Sequence, residues 1–326
     1  ILLAWLHSAF GQATFNIDGF SEQYYGKVYF SDTTQTASAG WVEVYDRATN
    51  KKLIHVDANE LSFDLYDNPQ KAYITKIPYE EQSAILYKDF NFDGVKDFAI
   101  IDGFRNWTLG HSFKIFLASS KRFVFSDSFT ELTQDNQGMF TVNAINKTIS
   151  TKSKIGDTWY QYSDYIVENN KPKLIRRHTD DYEHAPFYRE TIEELKGNKM
   201  VKTTRSSLAL ERYHIEECFK FHVDKVNKDI ILCNFYDDRL YYVILDAKQN
   251  VEFYYPFEEL RQTSDFIFYR KNGKLTFKNK DASYTIYDKS GNIGVDITYK
   301  GKTHRWKGNA KSRRGSIGKL LKGSLD

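Results

Sequence analysis

Ser83-Ala84-Ile85-Leu86-Tyr87-Lys88-Asp89-Phe90-Asn91-Phe92-Asp93-Gly94-Val95-Lys96-Asp97-Phe98-Ala99-Ile100-Ile101 sets a polar loop between two apolar runs of strand character. Within the loop, Asp89, Asn91 and Asp93 recur at alternate positions, so their side-chain oxygens turn to one side. Gly94 permits the sharp turn that follows, because a residue without Cβ enters left-handed backbone at no steric cost. Val95 then offers its carbonyl, and Asp97 at the ninth position offers a carboxylate directly or through water. Oxygen-only donors at this spacing suit calcium, a hard cation that takes about six to eight oxygens. The competing reading is a β-turn held by Asx hydrogen bonds. Against it stands the repulsion among three carboxylates within one short loop, which a cation offsets. An EF-hand would carry a bidentate glutamate at position twelve and helices on both sides. Here position twelve is Ile100 and the flanks are strands, so the ion is expected to be structural, pinning two strands and ordering the loops beside them.

Working outward, strand-like runs fall at residues 24–30, 41–45, 84–87, 97–101, 113–117 and 122–125. Others fall at 158–167, 241–245, 251–255, 266–269, 284–287 and 294–299. Lys271-Asn272-Gly273 and Lys289-Ser290-Gly291-Asn292 read as hairpin turns. The expected class is all-β, with a propeller-like N-terminal domain at 12–204 and a smaller antiparallel β domain at 205–326. The boundary is placed in the polar segment 201–211. Residues 191–195 are the best short helical candidate.

The composition agrees, with 24 Phe and 23 Tyr against 5 Pro. No apolar run reaches the roughly 20 residues that a membrane helix needs. The net charge of +3 hides a basic end. Lys302, Arg305, Lys307, Lys311, Arg313, Arg314, Lys319 and Lys322 cluster there, opposed only by Asp326, and the rest is mildly acidic. That cluster reads as a solvated terminal segment, with no nucleic-acid partner expected. Ile1 to Gly11 resembles the end of a secretory signal peptide, with small residues at Ala9 and Gly11 and cleavage expected before Gln12. Cys218 and Cys233 lie equally far from a polar turn at 224–228. A hairpin would set them opposite each other, within disulfide reach in an oxidising compartment. No spacing suggests zinc.

Further resemblances rest on particular residues. The strand–loop–strand form of 89–97 resembles the calcium loops of integrin-type β-propellers. Asp89 to Ile100 is followed by Ser112-Phe-Lys-Ile-Phe-Leu117, Phe129-Thr-Glu-Leu-Thr133, Gly138-Met-Phe-Thr-Val-Asn143 and Lys147-Thr-Ile-Ser-Thr-Lys-Ser-Lys-Ile-Gly156. Trp159, Tyr165 and the pair Asp180-Asp181 come next. This order, over roughly residues 80–200, resembles a family of bacterial periplasmic proteins with a propeller-like fold and one calcium loop. Known members inhibit lysozyme-type peptidoglycan hydrolases, and some are immunity proteins against secreted effectors. Many relatives carry a cysteine after the glycine of the last element, where this chain has Asp157-Thr158. The inhibitory surface maps to no motif, so only the calcium ligands Asp89, Asn91, Asp93, Val95 and Asp97 carry over. The second half, with Phe219-Lys-Phe-His-Val223, Ile230-Ile-Leu-Cys-Asn234 and Arg313-Arg-Gly-Ser-Ile-Gly318, resembles a domain of exported bacterial proteins that implies no activity.

No catalytic constellation emerges. The eight histidines are scattered, and Glu183-His184 is a lone pair on a polar segment. Gly315-Ser316-Ile317-Gly318 lacks the spacing of a nucleophile elbow, and Gly301-Lys302-Thr303 lacks the first glycine of a P-loop. A glycosidase with two distant carboxylates is the weakest of the readings kept. Trp159, Tyr160, Tyr162 and Tyr165 read first as a strand with an aromatic core face, and second as a recognition surface. The expectation is a periplasmic binding protein, not an enzyme, that takes Ca2+ and inhibits a lysozyme-like hydrolase. The alternative is a carbohydrate- or envelope-binding module, with peptidoglycan as ligand.

Overall fold

A computed structural model describes residues 11–35, 37–62, 83–120, 122–184, 186–210, 218–235, 239–257 and 266–321. Residues 1–10 of the expected signal segment, and Lys322 and Asp326 of the basic end, lie outside them. No helix among the described residues is long and apolar enough to cross a membrane.

The chain is all-β. The first sheet holds β1 (Ala13–Ile17), β2 (Tyr24–Phe30), β3 (Ala37–Asp46) and β4 (Lys52–Ser62). The second holds β5 (Ile85–Lys88), β6 (Asp97–Asn106), β7 (Gly110–Ser119) and β8 (Arg122–Phe125), followed by the helix α1 (Asp127–Gln134). The third holds β9 (Thr141–Asn143), β10 (Thr148–Ile155), β11 (Trp159–Glu168), β12 (Lys171–Asp181), β13 (Phe187–Lys196) and β14 (Lys199–Leu208). The fourth holds β15 (Cys218–Val223), β16 (Lys228–Phe235), β17 (Arg239–Leu245) and β18 (Val251–Tyr255). The fifth holds β19 (Ile267–Tyr269), β20 (Lys274–Asn279), β21 (Ala282–Lys289), β22 (Asn292–Tyr299) and β23 (Lys302–Lys307), before the short α2 (Ile317–Leu320). In every sheet the spatial order follows the chain, so each is an up-and-down meander, and successive meanders of this kind are the propeller-like element. The chain divides into two compact units. One takes the described residues up to Thr179 with Ile192–Lys202, the other Asp180–Thr191 with Thr203 onward.

In the first unit, alternation decides which face is core. Tyr24, Gly26, Val28 and Phe30 of β2 are buried, and the residues between them are half-exposed. Asp97 to Ile101 of β6 are buried without alternation, as expected of a strand covered on both faces. Phe98 is fully buried, with its ring 4.6 Å from Tyr87, 4.7 Å from Phe123 and 5.3 Å from Tyr24. α1 solves a hydrogen-bonding problem. β8 pairs only with residues from Phe116 onward, which would orphan the outward amides at the start of β7. Thr133 Oγ1 accepts from the Phe113 amide at 2.9 Å, and Thr130 Oγ1 accepts from the Ile115 amide at 3.0 Å.

In the second unit, β16 and β17 are buried on both faces, which is why Ile230 to Cys233 and Leu240 to Leu245 are almost unbroken apolar runs. Phe219, Leu232, Tyr242, Leu275 and Ile286 fill one core. Ile231, Cys233, Tyr241 and Val243 fill another, against Phe187 and Leu208.

The polar segment 201–211 begins with most of β14, and the last change of unit, from Lys202 to Thr203, falls within it. Two expectations are corrected. Residues 191–195 are not helical but lie in β13, which β14 follows through a turn at Gly197 with φ +64°. Finally, Cys218 and Cys233 do stand opposite each other in the β15–β16 register, yet both are free thiols. Lys220 exchanges both backbone bonds with Arg314 rather than with β16, so Cys218, two residues before it, also belongs to a non-hydrogen-bonded pair. Such pairs bring Cα atoms to about 4.5 Å. The thiols are joined by a hydrogen bond, not a disulfide. It lowers the Cys218 pKa, and burial adds to it in raising that of Cys233.

Candidate functional site

The 89–97 loop closes the β5–β6 hairpin, in which Lys88 pairs with Asp97. Its polar side chains are bound to its own backbone. Asp89 Oδ1 accepts from the Phe92 amide at 2.7 Å, and Oδ2 accepts from the Gly94 amide at 2.9 Å. Asn91 Oδ1 accepts from the Asp93 amide at 3.3 Å, and Asp93 Oδ1 accepts from the Val95 amide at 2.8 Å. These bonds hold two left-handed residues, Phe92 at φ +64° and Gly94 at φ +89°, of which only the glycine adopts that region without strain. Asn91 Nδ2 donates to Asp93 Oδ2 at 2.9 Å and to Asn170 Oδ1, in the β11–β12 turn, at 3.1 Å.

Asp97 is different. It has no exposed surface, and its oxygens accept from the Phe90 amide and the Ala118 amide, each at 2.8 Å. Burial pushes its pKa up to about 6. The Ala118 and Phe90 amides oppose the shift, and the charges of Asp93 and Asp89 add to it.

The donor set of Asp89, Asn91, Asp93 and the Val95 carbonyl is oxygen only, and its chemistry fits a hard cation. No three His, Cys, Asp or Glu side chains among the described residues are grouped to hold a metal. Both oxygens of Asp97 are taken by backbone amides. The sequence places it at the ninth ligand position, and the fold turns it inward to tie the loop to β7.

At the other end of β6, the β6–β7 hairpin carries Trp107, which is 94% exposed. The hairpin is held at four points. Asn106 Oδ1 accepts from the amides of Thr108 and Leu109 at 2.9 and 2.8 Å. Gln137 Nε2 donates to the Thr108 carbonyl at 2.8 Å, and the Gly138 amide donates to the Leu109 carbonyl at 2.8 Å. Nothing in the composition of Asn106-Trp107-Thr108 marks it beyond its resemblance to a glycosylation sequon.

The sequence reading also missed Glu43, buried on the face of the first sheet opposite its core. Its Oε1 accepts from Lys52 Nζ at 2.7 Å and lies 2.7 Å from His55 Nδ1, and its Oε2 accepts from Tyr45 at 2.5 Å. Burial pushes the carboxyl up, but the donors Lys52, Tyr45 and His55 outweigh it and hold the pKa low. The alternation Trp41, Glu43, Tyr45 was the available signal, but Lys52 and His55 come from β4 and depend on register.

The aromatic segment of β11 divides. Ser163 is buried and Tyr165 packs on the core, whereas Tyr160 and Tyr162 face outward beside Lys152. The motif look-alikes serve as turns and caps. Gly301 makes the β22–β23 turn at φ +75°, and Ser316 accepts from the Lys319 amide at the start of α2.

No protein-family profile and no curated protein matches the chain. Among solved structures, a Xanthomonas type IV secretion system related protein is 20% identical, covering 60% of this chain and 94% of that one at a TM-score of 0.44. A 6-phosphogluconolactonase-like protein from Bacteroides uniformis is 8% identical, covering 89% and 83% at a TM-score of 0.22. TolB from Acinetobacter baumannii is 7% identical, covering 91% and 80% at a TM-score of 0.18. At these values the likenesses bring no activity to this chain.

Proposed function

We propose that this is an exported, periplasmic calcium-binding protein whose first unit binds and inhibits a lysozyme-like peptidoglycan hydrolase. The observation that carries the reading is Trp107. An exposed indole, its ring 5.3 Å from that of Phe104 on a hairpin held at four points, loses little conformational entropy on binding and has the makings of an interface anchor. A sugar-binding cleft accepts aromatic rings, and Arg105 beside Trp107 complements the two carboxylates of a glycosidase. The order of motifs over residues 80–200 supports the same class of partner. Trp107→Ala is expected to weaken inhibition about tenfold or more without changing the melting temperature. Inhibition unchanged in that variant would remove the hairpin from the interface.

Calcium would be held by Asp89, Asn91, Asp93 and the Val95 carbonyl, with Asp97 behind them. Its contribution is positive charge among three carboxylates, which ties β5 to β6. A Kd of about 10⁻⁴ to 10⁻³ M is expected for such an extracellular module. Calcium at ten times Kd then stabilises the native state by about 1.4 kcal/mol, or about 3 °C in melting temperature. Asp93→Ala should abolish that increment, read by scanning calorimetry with calcium and with chelator. An equal increment in wild type and variant would place the ion elsewhere.

A further inference from the structure

The fifth sheet has one face on the core of the second unit and one in solvent, and the register identifies the residues of each. Leu275, Ile286, Val295 and Trp306 align across β20 to β23 on the core face. On the solvent face one row reads Tyr269, Lys274, Tyr287, Gly294 and Lys307. The next reads Ile267, Thr276, Thr285, Asp296 and Arg305, and a third reads Lys278, Ser283, Thr298 and Thr303.

The solvent face has an unusual make-up. Ile267 and Tyr269 are 57% and 49% exposed. The Tyr287 ring lies over Gly294, where an added Cβ would meet its hydroxyl oxygen at 2.4 Å. Lys274, Lys278 and Lys307 are exposed, and the Arg305 side chain is 80% exposed. Lys274 and Lys307 lie three strands apart, about 14 Å at roughly 4.8 Å per strand. Edge lysines often serve only to prevent strand-to-strand aggregation. That role does not explain Lys274 and Lys278 on an inner strand, nor exposed Ile267 and Tyr269 on the opposite edge.

We infer that this face binds an acidic polysaccharide, a site independent of the hydrolase-binding reading. Tyr269 and Tyr287 supply rings on which pyranoses stack. The separated cations Lys274, Arg305 and Lys307 pair with carboxylates spaced along the chain, and Thr276, Thr285, Thr298 and Thr303 bond sugar hydroxyls. Asp296 interrupts the cations of this face. It lies mid-face, 3.7 Å from Arg305, with Oδ1 buried and without a hydrogen-bond partner among the described residues. With Oδ1 out of a ligand's reach, only Oδ2 can accept from a sugar hydroxyl, and the carboxylate tempers the pull of the cation row on any polyanion.

The test is affinity electrophoresis of the full chain through gels containing polygalacturonate, neutral dextran or a single-stranded oligonucleotide. Retardation by polygalacturonate alone, weakened by salt, is the expected result. The double variant Arg305→Ala/Lys307→Ala and the single variant Tyr269→Ala should each weaken binding about tenfold. Both alter exposed side chains, and an unchanged melting temperature verifies the fold. Retardation by oligonucleotide at least as strong as by polygalacturonate would overturn the proposal in favour of a nucleic-acid site. So would no retardation by polygalacturonate, or retardation that persists in both variants.

Discussion

Asp97→Ala lowers the unfolding free energy of the first unit by about 2–5 kcal/mol, because it strips the acceptor from two buried amides at once. Asp97 has no exposed surface, and its two oxygens are the partners of the Phe90 and Ala118 amides. One amide lies in the loop and the other near the end of β7, so the carboxylate joins segments that no strand pairing connects. Each amide left without a partner costs roughly 1–3 kcal/mol. Asp97→Asn keeps one acceptor and points an amide group at the other N–H, so about half the loss is expected there. Urea unfolding of the three proteins in chelator checks this, since a metal-ligand role alone would leave stability unchanged without the ion. Equal midpoints in chelator would contradict the structural role.

Phe98→Ala destabilises the first unit by about 3–5 kcal/mol, the range for deleting a fully buried phenyl ring. Phe98 follows Asp97 and points to the other side of β6, against Phe20, Tyr24, Tyr87 and Phe123. Those neighbours come from four separate segments and cannot all collapse into the space. Phe125→Ala removes a ring of the same size at a residue already 43% exposed and should cost about 1 kcal/mol or less. Similar losses for the two would mean that the core does not centre on β6. Calorimetry on both variants makes the comparison.

These two adjacent residues illustrate what the sequence could convey. The apolar runs around 89–97, the β16–β17 pair and the turn at 289–292 were legible, because burial on both faces writes continuous apolar stretches and turns write glycine. β12 to β14 were not. Their residues are mostly half-exposed and charged, so neither period two nor period 3.6 stands out. Residues 191–195 contain good helix formers, and pairing of β13 with β12 and β14 overrides that propensity. The spacing of Asp97 was legible, but its direction was not, since a carboxylate at the ninth position can face the loop or the core. Trp107 and Glu43 were invisible for a related reason. Their character comes from what Gln137, Gly138, Lys52 and His55 do around them, and those contacts exist only after folding.

The most direct measurement is inhibition of c-, g- and i-type lysozymes by the purified chain, each with calcium and with chelator. Inhibition of at least one class at micromolar concentration, weakened by chelator, is the result expected of a calcium-ordered inhibitor. Full activity of all three classes at saturating chain, in calcium as in chelator, would contradict it.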